Sequence, residues 1–313
     1  MPWLRLIRFN NLIIIFLTQL LVWWCVLLPE SPVVLTPLNF LLLSLSTVLI
    51  AAAGYIINDY FDIKIDAINK PDKVVLEKSI PRKQAIIAHA VLNIIAFLLA
   101  GRVALAAHHP QWLLMQIGCT VLLWFYSTHF KRQYITGNIA VSLLTALTVI
   151  ALLVYEPAIR GHDEEQQLYT GTILSKPGWV LLIYAYFAFI LTWMREIVKD
   201  MEDLRGDEEE GCKTMPVVRG LKYSSRFTSM LGILVVFPLS AASYLLFRHN
   251  ETWLPVYIIT ILILPIIVWI VYLFRNTTSN HYHKASNWLK VIMLLGICSL
   301  FIYHLQLTLN HAA

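Results

Sequence analysis

Nine apolar runs separated by short polar segments make up most of the chain: 12–28, 38–57, 85–107, 112–126, 135–155, 179–194, 227–246, 254–274 and 288–309. Most approach the ~20 residues that an α-helix needs to cross a ~30 Å hydrocarbon layer. The fourth and sixth are shorter, and each is expected to continue past its apolar run as helix lining a polar cavity. Lipid offers no partners to backbone N–H and C=O groups, so a spanning segment is either a helix or part of a closed barrel. These runs are far too long for barrel strands. The pattern predicts an all-α protein, a polytopic membrane bundle of nine transmembrane helices forming a single domain over 1–313. The first run lacks a small-residue cleavage site and reads as a retained helix rather than a signal peptide.

Composition agrees with this reading. The chain is 58% hydrophobic and 14% charged, with a mean hydropathy of +0.67, which is membrane-protein territory. Charge adds orientation. With the N-terminus on the cytoplasmic side, 20 of the 24 Lys and Arg residues fall on inner segments and only Arg102, Arg160, Lys176 and Arg248 on outer ones. That split obeys the positive-inside rule and predicts a multi-pass protein of a bacterial-type cell inner membrane. The net charge of +5 is then an orientation signal, and nucleic-acid binding has no support; no obligate protein partner is expected. The outer segment 160–176 reads as a solvated charge run. Cys25, Cys119, Cys212 and Cys298 form no C-x-x-C pair, so neither a disulfide framework nor a zinc site is expected.

The chemistry lies where two of the apolar runs end. One acidic pattern, D-x-x-D-x-x-x-D, occurs as Asp59, Asp62 and Asp66 and again as Asp200, Asp203 and Asp207. The copies are 141 residues apart, and each opens a long inner connection, about 58–84 and about 195–226. On a helix, offsets of three and four align the carboxylates along one face. Such a row repels itself, and carboxylates near hydrocarbon are costly and usually functional. Two facing rows need cations between them, and Mg²⁺ suits oxygen ligands. It engages one or two carboxylates and takes its other ligands from water and phosphate oxygens. The expected guest is a diphosphate, with Arg8, Lys131, Arg195 and Lys199 as candidates to complete the clamp. A diphosphate leaving group inside a lipid-embedded bundle implies an isoprenoid tail, in a cavity open to the cytoplasmic side. Aromatic faces such as those of Tyr55, Phe61, Trp124 and Tyr126 are available to steady an allylic cation.

These motifs resemble those of the UbiA-type intramembrane prenyltransferases, and the likeness extends over nearly the whole chain. The family pattern N-D-x-x-D-x-x-x-D is matched by Asn58, Asp59, Asp62 and Asp66. The second pattern, K-D-x-E-D-x-x-G-D, is matched by Lys199, Asp200, Glu202, Asp203, Gly206 and Asp207, and a following G-x-x-T-x-P-V by Gly211, Thr214, Pro216 and Val217. The resemblance implies Mg²⁺ held by Asn58, Asp62, Asp203 and Asp207, with Asp59, Asp66 and Asp200 in support. It further implies that Lys131 holds diphosphate, that Tyr126 faces the reacting carbon, and that Arg8 and Asn11 lie near the donor phosphates. The chain departs from the family pattern after Asn69-Lys70-Pro71. Many members carry a short basic segment ending in Pro-Ser-Gly there, and this chain runs from Asp72 to Pro81 with a different sequence.

The implied activity is Mg²⁺-dependent transfer of a prenyl group from its diphosphate to a membrane-associated acceptor, either lipid or aromatic. The chain is most similar to the geranylgeranylglyceryl phosphate geranylgeranyltransferase branch, which implies ether formation on a lipid alcohol. Two alternatives stand beside it. One is prenylation of an aromatic quinone precursor, a hydroxybenzoate or dihydroxynaphthoate. The other is an ion or proton transporter that uses the paired carboxylates. Transporter sites tend to lie at mid-membrane, whereas here the acids cluster at helix ends.

Overall fold

The computed structural model describes residues 1–69, 74–160, 175–275 and 277–312. Most of the 160–176 charge run and residues 70–73 of the divergent connection lie outside these. All nine apolar runs are helical. The long helices are α2 (Phe9–Val22), α3 (Pro37–Asn69), α4 (Arg82–Ala106), α5 (Leu113–Thr128) and α6 (Thr136–Tyr155), preceded by a short α1 (Pro2–Leu6). They continue with α7 (Lys176–Glu202), the short α8 (Leu204–Glu209) and α9 (Met215–Arg219), α10 (Leu221–Arg248), α11 (Trp253–Tyr257), α12 (Leu264–Leu273) and α13 (Ser279–Ala312). Two π-helical stretches, Trp23–Leu27 and Ile258–Ile263, extend α2 and join α11 to α12. Among the described residues, eight helices are long and apolar enough to cross a membrane. The fourth run forms α5, whose 16 residues extend only ~24 Å at 1.5 Å per residue. The sixth gains polar turns and becomes the 27-residue α7.

The packing falls into two compact units. The first comprises Met1–Lys131 and Leu143–Ala185. Its spine is α3, which packs on α2, α4 and α5. Gly54 lets α3 and α5 approach: a Cβ there would lie 2.8 Å from a Leu123 methyl carbon. Polar side chains tie these helices where water cannot. Ser46 donates to the Ala96 carbonyl across 2.8 Å, and Asn93 accepts from Thr120 across 3.2 Å. His89 lies 2.9 Å from the Ala53 carbonyl through Nδ1, so this histidine is a satisfied interior group. The fully buried Glu156 accepts the backbone N–H groups of Val33, Val34, Leu35 and Ala158 at 2.8–3.3 Å.

The second unit comprises Arg132–Ser142 and Tyr186–Ala313. Its core is formed by Met194, Ile197, Val198, Val235, Ile266, Trp269 and Tyr282. Trp269 Nε1 donates to the Ala285 carbonyl across 2.9 Å. Gly232 admits the Ile270 side chain, whose Cδ1 would lie 2.8 Å from an added Cβ.

The acidic motifs do not open loops, as their position after apolar runs suggested. The first is wholly helical, because α3 continues twelve residues past Ile57 to Asn69, and Asp62 and Ile65 keep a buried face going. The second straddles a break. Asp200 is on α7, Asp207 is on α8, and Asp203 lies between them with φ −96° and ψ 8°, the bridge region of the backbone map. One spacing thus yields two different geometries.

Candidate active site

The first cluster belongs to the first unit. Asn58, Asp62 and Asp66 follow one another at four-residue intervals on α3, and Asp59 flanks them. Asn58 and Asp62 are buried; Asp59 and Asp66 are half-buried. Asn58 Nδ2 donates to Asp62 Oδ2 across 2.7 Å, which turns Asn58 Oδ1 away. That oxygen is buried and has no hydrogen-bond partner.

Two cations converge on these acids. Arg8 separates α1 from α2 in a left-handed conformation, φ 49° and ψ 54°, which a residue with a Cβ adopts at a cost of ~1–2 kcal/mol. Its guanidinium donates to Asp59 Oδ1 across 2.8 Å and lies over the Tyr55 ring, 4.9 Å from the centroid. Asn11 Nδ2 donates to the Tyr55 hydroxyl across 3.3 Å, so Tyr55 links two residues that sequence reasoning placed near the phosphates without it. Lys131, in the turn after α5, donates to Asp62 Oδ2. Burial by itself disfavours the ammonium form. The charge of Asp62, that of Tyr126, the hydrogen bond to Asp62 and the charge of Asp66 together outweigh that effect and raise the Lys131 pKa above its usual value. Tyr126 is thereby placed within electrostatic reach of Lys131. Beside this cluster the Phe61 and Trp124 rings meet edge to face at 5.9 Å.

The second cluster belongs to the second unit. Asp200 accepts a 2.8 Å hydrogen bond from Asn138 Nδ2, and Asp207 accepts one of 3.1 Å from Thr214 Oγ1. Asp207, Asn138 and Thr214 are buried; Asp203 is half-buried. The turn after α8 is tightened by the Cys212 N–H, which donates to the Asp207 carbonyl across 2.8 Å. Gly211 completes this turn with φ 70°, a value that favours glycine. Arg195 and Lys199 contact the buried Glu196 rather than lying bare at the motif: Arg195 at 3.2 Å, Lys199 at 2.9 and 3.1 Å.

Sequence reasoning did not single out Asn138, Glu196 or Tyr55's bridging role. The available signals were modest: a polar residue opening an apolar run, and an acid between two bases. Thr214 was visible as part of a motif, though its bond to Asp207 was not.

Among the described residues, no three His, Cys, Asp or Glu side chains converge into a closed metal cage. The donor set is carboxylate and amide oxygens divided between two motifs. That is the chemistry Mg²⁺ accepts, since it keeps water and phosphate oxygens in most of its positions. The buried, unpartnered Asn58 Oδ1 is a further oxygen suited to a hard cation.

Comparison with known proteins places the chain. The profile of the UbiA prenyltransferase family matches residues 19–307. The chain is 30% identical over 258 residues to the digeranylgeranylglyceryl phosphate synthase of Methanosphaera stadtmanae, covering 82% of this chain and 84% of that protein. It is 29% identical over 311 residues to the synthase of the same name from Methanobrevibacter smithii, covering 96% and 97%. Among solved structures, a UbiA homologue from Archaeoglobus fulgidus bound to GPP and Mg²⁺ matches with a TM-score of 0.64 at 16% identity, covering 97% of this chain and 99% of that one. A structure from work on digeranylgeranylglyceryl phosphate synthase in membranes matches with a TM-score of 0.66 at 24% identity, covering 97% of each chain. The chain is a polytopic, all-helical member of the UbiA prenyltransferase family.

Proposed function

We propose that the protein transfers a geranylgeranyl group from its diphosphate to the free hydroxyl of a glyceryl phosphate lipid, forming an ether and releasing diphosphate. The observation that carries this reading is the likeness to synthases of that name over 82% and 96% of the chain. Family membership leaves the ion-carrier alternative without support, and neither synthase favours an aromatic quinone precursor as acceptor.

In this reading Asn58, Asp62, Asp203 and Asp207 supply the oxygens that hold Mg²⁺. When bound, Mg²⁺ neutralises the diphosphate and stabilises it as a leaving group. Asp59, Asp66 and Asp200 reinforce those ligands. Arg8 and Lys131, now paired with Asp59 and Asp62, turn to the phosphate oxygens when the donor arrives, with Asn11 alongside. The bond from prenyl C1 to diphosphate breaks with its electron pair on oxygen. The acceptor hydroxyl oxygen then bonds to C1 and gives up its proton to the released diphosphate. Tyr126, beside Lys131, faces that carbon, and the Phe61 and Trp124 rings keep water from the cation.

The positive-inside split supports a cytoplasmic N-terminus, with the acidic motifs at the cytoplasmic face of one membrane domain. The apolar helices and the family make the chain an integral, multi-pass membrane protein; the named relatives are archaeal, so a bacterial-type inner membrane has no particular support.

The test is mass spectrometry of products from purified protein with Mg²⁺, a ladder of prenyl diphosphates and a mixed acceptor pool. An ether of the glyceryl phosphate lipid is the expected product. Prenylated hydroxybenzoate or dihydroxynaphthoate with no ether would overturn the reading.

A further inference from the structure

The second unit carries a group of cations that the carboxylate motifs do not account for. Arg195 and Lys199 lie one helical turn apart on α7, and both contact Glu196. A third cation joins them from α13. Glu202, at the end of α7, accepts from Ser279 Oγ through its carbonyl across 3.0 Å and meets His283 Nδ1 through its carboxylate, also at 3.0 Å. The two helices therefore run antiparallel from that point. Seven residues back along α7 is Arg195, and seven residues on along α13 is Lys290. The positive charges of Arg195 and Lys290 lie close enough to repel, as this register requires. Both lie ~10 Å from the Glu202–His283 contact, at 1.5 Å per residue, in the apolar direction along the helices.

Cations on helices this apolar are costly and mark functional sites by default. Arg195 and Lys199 meet one adjacent carboxylate, Glu196, with Asp200 a turn further on in the acidic motif. The face they share also holds buried polar atoms that nothing in the protein satisfies. Arg195 Nε has no hydrogen-bond partner, and neither does Thr192 Oγ1 one turn away; Thr192 is only 4% exposed. A buried donor without a partner costs ~1–3 kcal/mol, so an anion with several acceptor oxygens would relieve the site.

We infer that Thr192, Arg195, Lys199 and Lys290 form a subsite for the phosphate monoester of the lipid acceptor, separate from the residues that hold the donor diphosphate. The inference rests on the acceptor reading above and adds the residues that would enforce it. Charge separates the two roles. In the first unit Arg8 and Lys131 are each matched by an aspartate, so a diphosphate there depends on added metal. Here Arg195 Nε and Thr192 Oγ1 are left unsatisfied beside the cations, and a dianion can accept from them directly, without metal. A phosphate monoester near neutral pH carries a charge of about −1.5 to −2 and offers three strong acceptor oxygens. Its lipid tails remain in the surrounding hydrocarbon while its head group is held at the depth of Arg195 and Lys290.

The experiment compares wild type, Lys290→Gln and Lys290→Arg, using the glyceryl phosphate acceptor and its dephosphorylated counterpart. Wild type should prefer the phosphorylated acceptor by at least about 100-fold in kcat/KM, because the analogue leaves buried polar groups unpaired. Lys290→Gln should raise the acceptor KM roughly tenfold and shrink that preference by a similar factor, with the donor KM unchanged; Lys290→Arg should restore most of both. A merely structural lysine would lower activity on both acceptors alike and overturn the inference, as would a change confined to the donor KM. A binding arm separates this from the ether-forming reading. Hexadecyl phosphate, without Mg²⁺ or donor, should raise the thermal midpoint of wild type but not of Lys290→Gln. That result with no ether product overturns the acceptor reading and keeps the phosphate subsite. Ether formation with no Lys290-dependent stabilisation overturns the subsite alone.

Discussion

Asn138 Nδ2 donates a 2.8 Å hydrogen bond to Asp200 Oδ2 and so joins the first turn of α6 to the last turn of α7. The amide holds one carboxylate oxygen in place, and in the proposed reading the carboxylate supports Mg²⁺ binding. Groups that orient metal-binding residues from behind commonly change metal affinity by roughly 10–100-fold when removed. Asn138→Leu is therefore expected to raise the Mg²⁺ concentration needed for half-maximal turnover by about tenfold or more. Saturating Mg²⁺ should recover much of the rate. A Mg²⁺ titration of product formation measures this, and an unchanged midpoint would remove Asn138 from the site.

Glu156 makes a claim on stability rather than on catalysis. Its carboxylate accepts four backbone N–H groups and is fully buried. Glu156→Ala leaves those donors without a partner, at about 1–3 kcal/mol for each one that stays dry. Glu156→Gln should be little better, because its amide NH₂ turns a donor toward donors. Both variants should lose several degrees of thermal midpoint in detergent while keeping near-normal turnover at low temperature. A stable Gln variant would show that water reaches this turn.

The sequence made the helices and the identity of the acids legible for a simple physical reason: hydrocarbon tolerates few backbone solutions, and charges near it are rarely idle. It could not show where helices end. Nothing in the spacing of Asp59, Asp62 and Asp66 distinguishes it from that of Asp200, Asp203 and Asp207, yet α3 runs straight through the first and α7 breaks at Asp203. Tertiary packing decides this, since Ile65 and Asp62 find buried surroundings. Pairing was equally hidden. Arg195 and Lys199 read as phosphate ligands of the motif, but their contact with Glu196 depends on which side of α7 faces the core. Long-range partners such as Asn138 and Lys290 leave almost no local signature.

The two motifs are expected to fail differently when truncated. Asp62 is buried against Lys131 and Asn58, so Asp62→Ala strands a cation and frees an amide as well as removing an oxygen. Asp203 lies half-buried at a helix break. Both Asp62→Ala and Asp203→Ala should abolish measurable turnover, a loss of at least about 10³-fold if transition-state charge is left uncompensated. Asp62→Ala should also lower the thermal midpoint in the absence of donor, and by more than Asp203→Ala does. Near-normal activity in either variant would count heavily against the metal assignment.

Arg8 and Lys131 carry the last expectation, which concerns the donor alone. Each is held by one first-motif aspartate, Asp59 and Asp62 respectively, and in the proposed reading turns from it to the diphosphate oxygens. Arg can grip phosphate through two parallel hydrogen bonds, while Lys acts as a point charge. Arg8→Lys should therefore keep charge but lose geometry, raising the donor KM by roughly tenfold, the equivalent of one charge-assisted hydrogen bond. Lys131→Met should lower kcat as well, because its charge sits beside the leaving group as the bond breaks. Neither variant should shift the acceptor KM. Initial rates across a matrix of donor and acceptor concentrations separate these outcomes. An effect of Lys131→Met on acceptor KM with the donor response untouched would move this lysine out of the diphosphate site.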